Sequence, residues 1–311
     1  MRLKRALGAI VAAALLAGCA NMPQTEKAVT FEDSTGREIS VDVHPKRVAA
    51  LTGSFADVWC TAGGKDELVA AADDTWTSFD LDLGDDVQNL GAIHEPNVEV
   101  LLASKPDFVL ASAKNDADKK IAETLESQNI PVACFDISNF DDYLNMLKIC
   151  TELTGDSEAY KKYGTDQQAE IDKDIEFAKS QEGPTVLYLR ATRKGVTAKN
   201  SKGSVLGEML AQLNTVNVAD SDKALLENLS AEAILKANPD KIFIVCQGSD
   251  DTKAKAQLEK TLTSRPAWSQ LKAVKDGQVY MMDQSLYNLK PNARWAEAMS
   301  HLTELLYGEV R

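Results

Sequence analysis

Asn97-Val98-Glu99-Val100-Leu101-Leu102-Ala103-Ser104-Lys105-Pro106-Asp107-Phe108-Val109-Leu110 and Ser230-Ala231-Glu232-Ala233-Ile234-Leu235-Lys236-Ala237-Asn238-Pro239-Asp240-Lys241-Ile242-Phe243-Ile244 repeat one pattern. In each, a Glu begins a short apolar, helix-like stretch. A Pro-Asp seven residues later ends it, and an apolar run follows. Glu99 with Pro106-Asp107 therefore corresponds to Glu232 with Pro239-Asp240, at an offset of 133 residues. Acid in the first turn suits the helix dipole. Proline bars the residue before it from continuing a helix, and the apolar run reads as a buried strand. One helix-to-strand step fits any α/β fold, whereas two copies at matched spacing, one in each half, predict two similar lobes.

Outward from the repeats, strands are expected at residues 47–51, 68–72, 108–111 and 132–135, alternating with helices at 55–62, 98–104, 116–128 and 140–153. In the second half, strands at 185–189, 241–245 and 279–282 alternate with helices at 204–213, 231–237 and 291–307. Alternation of this kind implies mostly parallel sheets. Between the halves, Tyr160, Tyr163, Gln167, Ile171, Ile175 and Ala178 recur at helical spacing, and Gly183-Pro184 ends the run. The expectation is an α/β protein of two Rossmann-like lobes, residues 29–155 and 183–311, joined by one long helix over 156–182. A surface helix belonging to one lobe is the alternative for that connector.

The N-terminus has a different logic. Met1-Arg2-Leu3-Lys4-Arg5 precedes an apolar and small-residue run from Ala6 to Leu16, then Ala17-Gly18-Cys19. A basic start with a short apolar core is a secretory signal. The run is too short for a bilayer, which needs about 20 apolar residues. Leu16-Ala17-Gly18-Cys19 is similar to the bacterial lipobox, whose Cys is lipidated and becomes the mature N-terminus. Residues 1–18 are therefore read as a signal peptide and 19–28 as a lipid-tethered spacer, which places the domain outside the cytoplasm on a membrane. Loss of Arg2, Lys4 and Arg5 takes the formal charge from −13 to −16. A chain this acidic does not seek nucleic acid through its net field. Cys60, Cys134, Cys150 and Cys246 are widely scattered in apolar surroundings and lack CxxC spacing, so most read as small buried hydrophobes. One disulfide among them stays open, with no pair indicated.

The chain resembles the substrate-binding lipoproteins of bacterial ABC importers for iron–siderophore complexes, haem and cobalamin. The likeness runs over nearly the whole mature chain. It is carried by Val29 through Ile39, Pro45 through Leu51, Gly91 through Glu99 with Lys105-Pro106-Asp107, Ser204 through Leu210, the Glu232 unit, Arg265-Pro266-Ala267-Trp268, and Lys290 through Trp295 with Leu306 through Glu309. It implies a ligand cleft between two α/β lobes, a monomer, no intrinsic cofactor, and a metal-chelate or tetrapyrrole ligand. It also implies an ABC permease dimer with its ATPase as partner, onto which Glu99 and Glu232 would dock. Each Glu also suits its helix start.

Ligands of doubly wound sheets sit beyond the carboxyl ends of the strands, so the loops after the strands supply the candidates. Ser54, Phe55 and Gln247 lie there. Arg190 and Arg193 follow a strand, where guanidinium forks hold carboxylate or catecholate oxygens; the alternative is a solvated pair of charges. Trp76 and Tyr287 offer faces for a flat ligand or serve as packing anchors. Lys290 pairs with an anion or starts the last helix. His94 is an axial ligand, a donor to a chelate, or neither. With only His44, His94 and His301 in the chain, a bare Zn or Mn site is not expected. Trp59, Trp268 and Trp295 are assigned to the core. No nucleophile elbow, HExxH or P-loop is present, so a lipid-anchored enzyme is the weaker reading. A lipoprotein sensor would share the fold.

Overall fold

In a computed structural model, residues 27–79, 81–248 and 251–308 are described; the signal, the spacer up to residue 26 and Cys19 lie outside them. A hairpin of β1 (Ala28–Glu32) and β2 (Glu38–Asp42) leads into the first lobe. There β3 (Val48–Ala50), β4 (Leu68–Ala71), β5 (Gln88–Asn89), β6 (Phe108–Ser112) and β7 (Val132–Phe135) form an all-parallel sheet of order β5-β4-β3-β6-β7. The second lobe has β8 (Thr185–Thr192), β9 (Gly195–Lys199), β10 (Val216–Asn217), β11 (Lys241–Cys246) and β12 (Val279–Met282). Its parallel order is β10-β8-β11-β12, and β9 returns antiparallel on the far end of β8. β3, β6 and β11 are buried along almost their whole length, as strands covered on both faces must be. The two-lobed α/β architecture expected from the repeats is the one observed.

The repeat itself has a structural meaning. Asp107 accepts the Lys46 and Arg47 backbone N–H groups at 2.7 and 2.9 Å, at the start of β3. Asp240 accepts the Thr185 backbone N–H and hydroxyl at 3.0 and 2.6 Å, at the start of β8. Each Pro-Asp thus ties the base of one central strand to its neighbour. Lys105 and Asn238, which precede the two prolines, both take the left-handed conformation, with φ of 48° and 46°. That is how the chain leaves the helix where proline forbids another helical residue.

The connector is helical from Ser157 to Lys179, interrupted by a π turn over Lys161–Thr165. At its centre, Gly164 lies where a Cβ would meet Leu144 Cδ1 at 2.8 Å. The Tyr163 carbonyl in that turn accepts from the Tyr143 hydroxyl at 3.1 Å and Gln167 Nε2 at 2.8 Å. Beyond the helix, a Cβ on Gly183 would fall 1.7 Å from the Asn214 carbonyl, so no side chain fits there.

The C-terminal helix Trp295–Tyr307 packs along the connector. Gln167 Oε1 accepts the Ala296 N–H at 2.9 Å, and Ser300 donates to Asp174 at 2.7 Å. Trp295, fully buried, packs against Phe140 and Tyr143 of the first lobe. One apolar cluster consequently runs from Val48 through Ile171 and Ala178 to Tyr188 and Leu302, joining both lobes. Trp59 and Trp268 are buried too. Cys134, Cys150 and Cys246 are buried free thiols and Cys60 is partly buried. Burial pushes the Cys60 thiol up to about 12 and Cys134 to about 11, so they behave as small hydrophobes.

Candidate functional site

The carboxyl ends of the two sheets face one another across a cleft with two joined chambers. The inner chamber, about 300 Å³, is walled from the first lobe by Thr52, Ser54 and Phe55 after β3, Asp74 and Phe79 after β4, Ile93 and His94 after β5, and Ser112, Lys114 and Asn115 at the end of β6. The second lobe contributes Arg190 from β8, Gln247 after β11, and Asn288, Leu289 and Lys290 after β12. The outer chamber, about 530 Å³, is lined by His94, Thr192, Arg193, Lys194, Gln247, Gly248 and Lys253. His94 and Gln247 belong to both.

Local chemistry sets each wall. At Gly53, which opens the helix Gly53–Thr61, a Cβ would meet the Thr75 nitrogen at 2.7 Å. The glycine lets the loops after β3 and β4 touch, and Asp74 Oδ1 accepts the Gly53 N–H at 2.8 Å. Asp118, with no exposed surface, accepts the Ser112 N–H and Asn115 Nδ2, each at 2.8 Å. Asn115 Nδ2 also donates to the Ile93 carbonyl. This relay fixes the loop carrying His94 against the end of β6. Burial pushes the Asp118 carboxyl up to about 7, offset by the Ser112 N–H and reinforced by Asp74. Asp74 is itself raised, chiefly by burial.

Across the cleft floor, Asn292 is fully buried and holds φ of 49°. Its Nδ2 donates to the Ser54 carbonyl at 2.9 Å and to Asp57 Oδ2 at 2.7 Å, so a residue of the second lobe is bonded twice into the first. Lys114 Nζ, bonded to Asp136 at 2.9 Å and Ser138 at 2.6 Å, reaches within 3.5 Å of the Gly203 carbonyl.

The cations dominate. Arg190 directs Nε and Nη2 to the Tyr188 hydroxyl at 3.3 and 3.1 Å. Lys290 is partly buried and has no hydrogen-bond partner among the described residues. Burial lowers its ammonium to about 8, with repulsion from Lys114 and Arg190 acting against attraction from Asp136 and Asp142. With Arg193, Lys194 and Lys253 around the outer chamber, this acidic chain presents a basic interior to its cleft. No group of three or more His, Cys, Asp or Glu suited to a metal ion occurs among the described residues.

Of the residues singled out from sequence, Ser54, Phe55, His94, Arg190, Gln247 and Lys290 line the inner chamber and Arg193 the outer. Arg190 is inside β8 rather than in a loop, because the strand continues to Thr192 and turns into β9. Trp76 is 41 % exposed on the short helix Asp74–Ser78 and lines neither chamber. Tyr287 is fully buried, and its hydroxyl meets the Ala298 carbonyl and His301 Nδ1, both at 3.0 Å. It is a packing anchor, held in the core by the final helix. Lys114, Asn115, Asp74 and Asn288 were not singled out, although Lys114 and Asn115 end a strand as the crevice rule requires. Glu99 and Glu232 are exposed in the first turns of helices Val98–Ala103 and Ala231–Ala237, capped by Asn97 and Ser230.

Comparison with known proteins agrees with this geometry. A family model described as periplasmic binding protein matches residues 48–286. The chain is 26% identical to an uncharacterised ABC transporter substrate-binding lipoprotein, YvrC of Bacillus subtilis (strain 168), over 97% of this chain and 96% of that protein. It is 28% identical to the Fe(3+)-citrate-binding protein YfmC of the same organism, over 89% of this chain and 88% of the relative. Among solved structures, a periplasmic haem-binding protein from Pseudomonas aeruginosa superimposes with a TM-score of 0.68 at 20% identity, covering 86% of this chain and 94% of its own. The chain belongs to the periplasmic binding protein family.

Proposed function

We propose that this chain is the solute-binding component of an ABC importer and captures an anionic metal chelate, a ferric one, between its lobes. The observation that carries the reading is the convergence of Lys114 from one lobe with Arg190 and Lys290 from the other on a cleft inside an acidic protein. Cations gathered in a low-dielectric crevice attract an anion that the net charge would repel. The relatives' names support iron as cargo. Glu99 and Glu232 are the docking contacts for a permease, and lipid on Cys19 holds the protein beside it, outside the cytoplasm.

The purified mature domain should gain thermal stability with ferric citrate or another ferric chelate, since a ligand of the native state stabilises it by RT ln(1 + [L]/Kd). No shift with any ferric chelate, haem or cobamide refutes the assignment. Charge reversal of Glu99 and Glu232 to Lys should abolish uptake and leave binding intact; lost binding refutes the docking role. A tetrapyrrole ligand is favoured by one feature, the exposed His94 ring at the junction of the chambers, without a side-chain hydrogen bond among the described residues. A haem Soret shift abolished by His94→Ala would establish that ligand instead.

A further inference from the structure

The loop that carries His94 is held unevenly. At its base, the Asn97 N–H donates to the Leu90 carbonyl at 2.7 Å, the Asp73 N–H to the Gly91 carbonyl at 2.9 Å, and the Gly91 N–H to Asn89 Oδ1 at 2.7 Å. Within the loop, the Glu95 N–H closes a turn onto the Ala92 carbonyl at 2.9 Å. From residues 92–96 outward, one hydrogen bond among the described residues reaches another element, Asn115 Nδ2 onto the Ile93 carbonyl. Ile93 lines the inner chamber and His94 lines both, so this single tie sets where the two chambers meet.

The donor of that tie is aimed by an acid outside the cleft. Asp118 has no exposed surface and lines neither chamber. Its two oxygens take one donor each, Oδ1 from Asn115 Nδ2 and Oδ2 from the Ser112 N–H, both at 2.8 Å. An ionised carboxyl only accepts, whereas a protonated one must also donate. Neither neighbouring group is an acceptor, so a proton on either oxygen sets donor against donor and one bond has to yield. The Ser112 N–H is fixed at the end of β6, which is paired with β7. Asn115 is a side chain at the cap of helix Asp116–Glu126, and it is the partner that can turn away.

We infer that Asp118 is a positioning residue that works as a proton-operated latch: ionised, it holds Asn115 on the Ile93 carbonyl; protonated, it lets the loop tip go and loosens the junction of the chambers. The titratable groups that face it are Asp74, from the loop after β4, and the Cys134 thiol of β7. Lys114, in the turn after β6, is bonded to Asp136 and Ser138, and His94 is on the tied loop itself. Cys134 is pushed up to about 11 and stays neutral around pH 7. Burial raises Asp118 to about 7, with the Ser112 N–H lowering it and Asp74 raising it. Release of Asn115 removes a donor from the carboxyl, which then titrates higher still, so protonation favours release and ionisation favours the latch. The loop is therefore held above about pH 7 and freed below it. The cost of ionising Asp118 on folding is a separate comparison, between the latched state and the unfolded chain. The effect on ligand affinity rests on reading the cleft as a chelate site; the release of the loop does not.

The test is amide hydrogen exchange of the peptide over residues 91–97 in the purified mature protein, from pH 6 to 8.5, each point referred to the same peptide in the unfolded chain. Protection should be about 2- to 10-fold greater at pH 8.5 than at pH 6, the effect of one hydrogen bond. Asn115→Ser keeps an oxygen to cap the following helix but has no Nδ2 to donate, and Asp118→Asn leaves nothing to ionise. Both should show the low-pH level of protection throughout. His94 is intact in both, so a pH dependence driven by its ring would persist there. Calorimetric titration with ferric citrate reads the consequence for the cleft: the wild type should bind about 2- to 10-fold more tightly than Asp118→Asn at pH 8.5 and equally at pH 6. Wild-type protection that is flat with pH or rises as pH falls overturns the inference, as does a pH dependence that survives in Asn115→Ser. Should Asp118→Asn fail to fold, Asn115→Ser decides both measurements. The expected exchange with equal affinities at pH 8.5 overturns the loosening of the chambers. Failure of the wild type to bind ferric citrate at any pH counts against chelate capture and leaves the exchange profile to decide the latch.

Discussion

Asn292 is the side chain on which the joint between the lobes can be tested most directly. Asn292→Ala removes a hydrogen bond to the Ser54 carbonyl, about 0.5–1.5 kcal/mol, and one to the Asp57 carboxylate, about 1.5–3 kcal/mol. It also puts a Cβ residue other than Asn or Gly at φ of 49°, costing about 1 kcal/mol. The expected loss is about 3–5 kcal/mol at neutral pH, read from urea unfolding of the mature protein. Asn292→Gly should be milder by about 1 kcal/mol, because only the bonds are lost. Burial already raises the Asp57 carboxyl despite the Asn292 donor. Without that donor the protonated form gains further, so the deficit should shrink as pH falls toward about 4. If both variants lie within about 0.5 kcal/mol of wild type, the range of an ordinary surface change, the two bonds do not hold the lobes together.

Tyr287→Phe should cost about 1–2 kcal/mol, since it leaves the Ala298 carbonyl and His301 without the hydroxyl, and should not alter chelate affinity. A changed Kd would put Tyr287 back in the cleft. Gly183→Ala should lower the melting temperature sharply, because its Cβ would sit 1.7 Å from a backbone oxygen; an unchanged melting temperature refutes the close approach. Asp118, raised to about 7 by burial, disfavours the folded state when ionised, so stability should rise as pH falls from about 8 to 5 and Asp118→Asn should flatten that slope. Asp240, lowered to about 2 by Lys272 and Thr185, works in the opposite sense: its contribution is present above about pH 4 and disappears toward pH 2. Lys272→Met should move that acid limb upward in a pH titration of stability.

The fold was legible because its determinants are local and repeated. β7 and β12 and the helix Ala231–Ala237 fall where apolar runs and their Pro, Gly and cap residues put them. The two-residue strands β5 and β10 were not legible, having no periodicity of their own and existing only through pairing with β4 and β8. β9 was hidden for a related reason: Gly195-Val196-Thr197-Ala198-Lys199 is barely apolar, and reading the strand as ending at Leu189 turned Arg190 into a loop residue. At the site, the rule that ligands lie beyond strand ends found the loops but not the orientation of their side chains. Trp76 and Tyr287 are equally near strand ends, yet short helices turn one outward and bury the other. Lys114 and Asn288 reach the chamber wall from the turn after β6 and the end of the short helix Gln284–Tyr287, placements that spacing does not encode.

The duplicated unit also relates the cleft to the surface proposed for docking. In a parallel strand–helix–strand step, the helix starts at the end of the sheet where the preceding strand finishes and runs back to where the next begins. Helix Val98–Ala103 lies between β5 and β6, and helix Ala231–Ala237 between β10 and β11. Both helices run down to a Pro-Asp pinned at a strand base, Asp107 under β3 and Asp240 under β8, so their first turns point away from those bases. Glu99 and Glu232 open these helices as exposed acids, one per lobe. A partner that grasps both glutamates would touch both lobes at once. Because Asn292 and the shared apolar cluster hold the lobes in one arrangement, the spacing of the two acids is set by the fold rather than by the ligand.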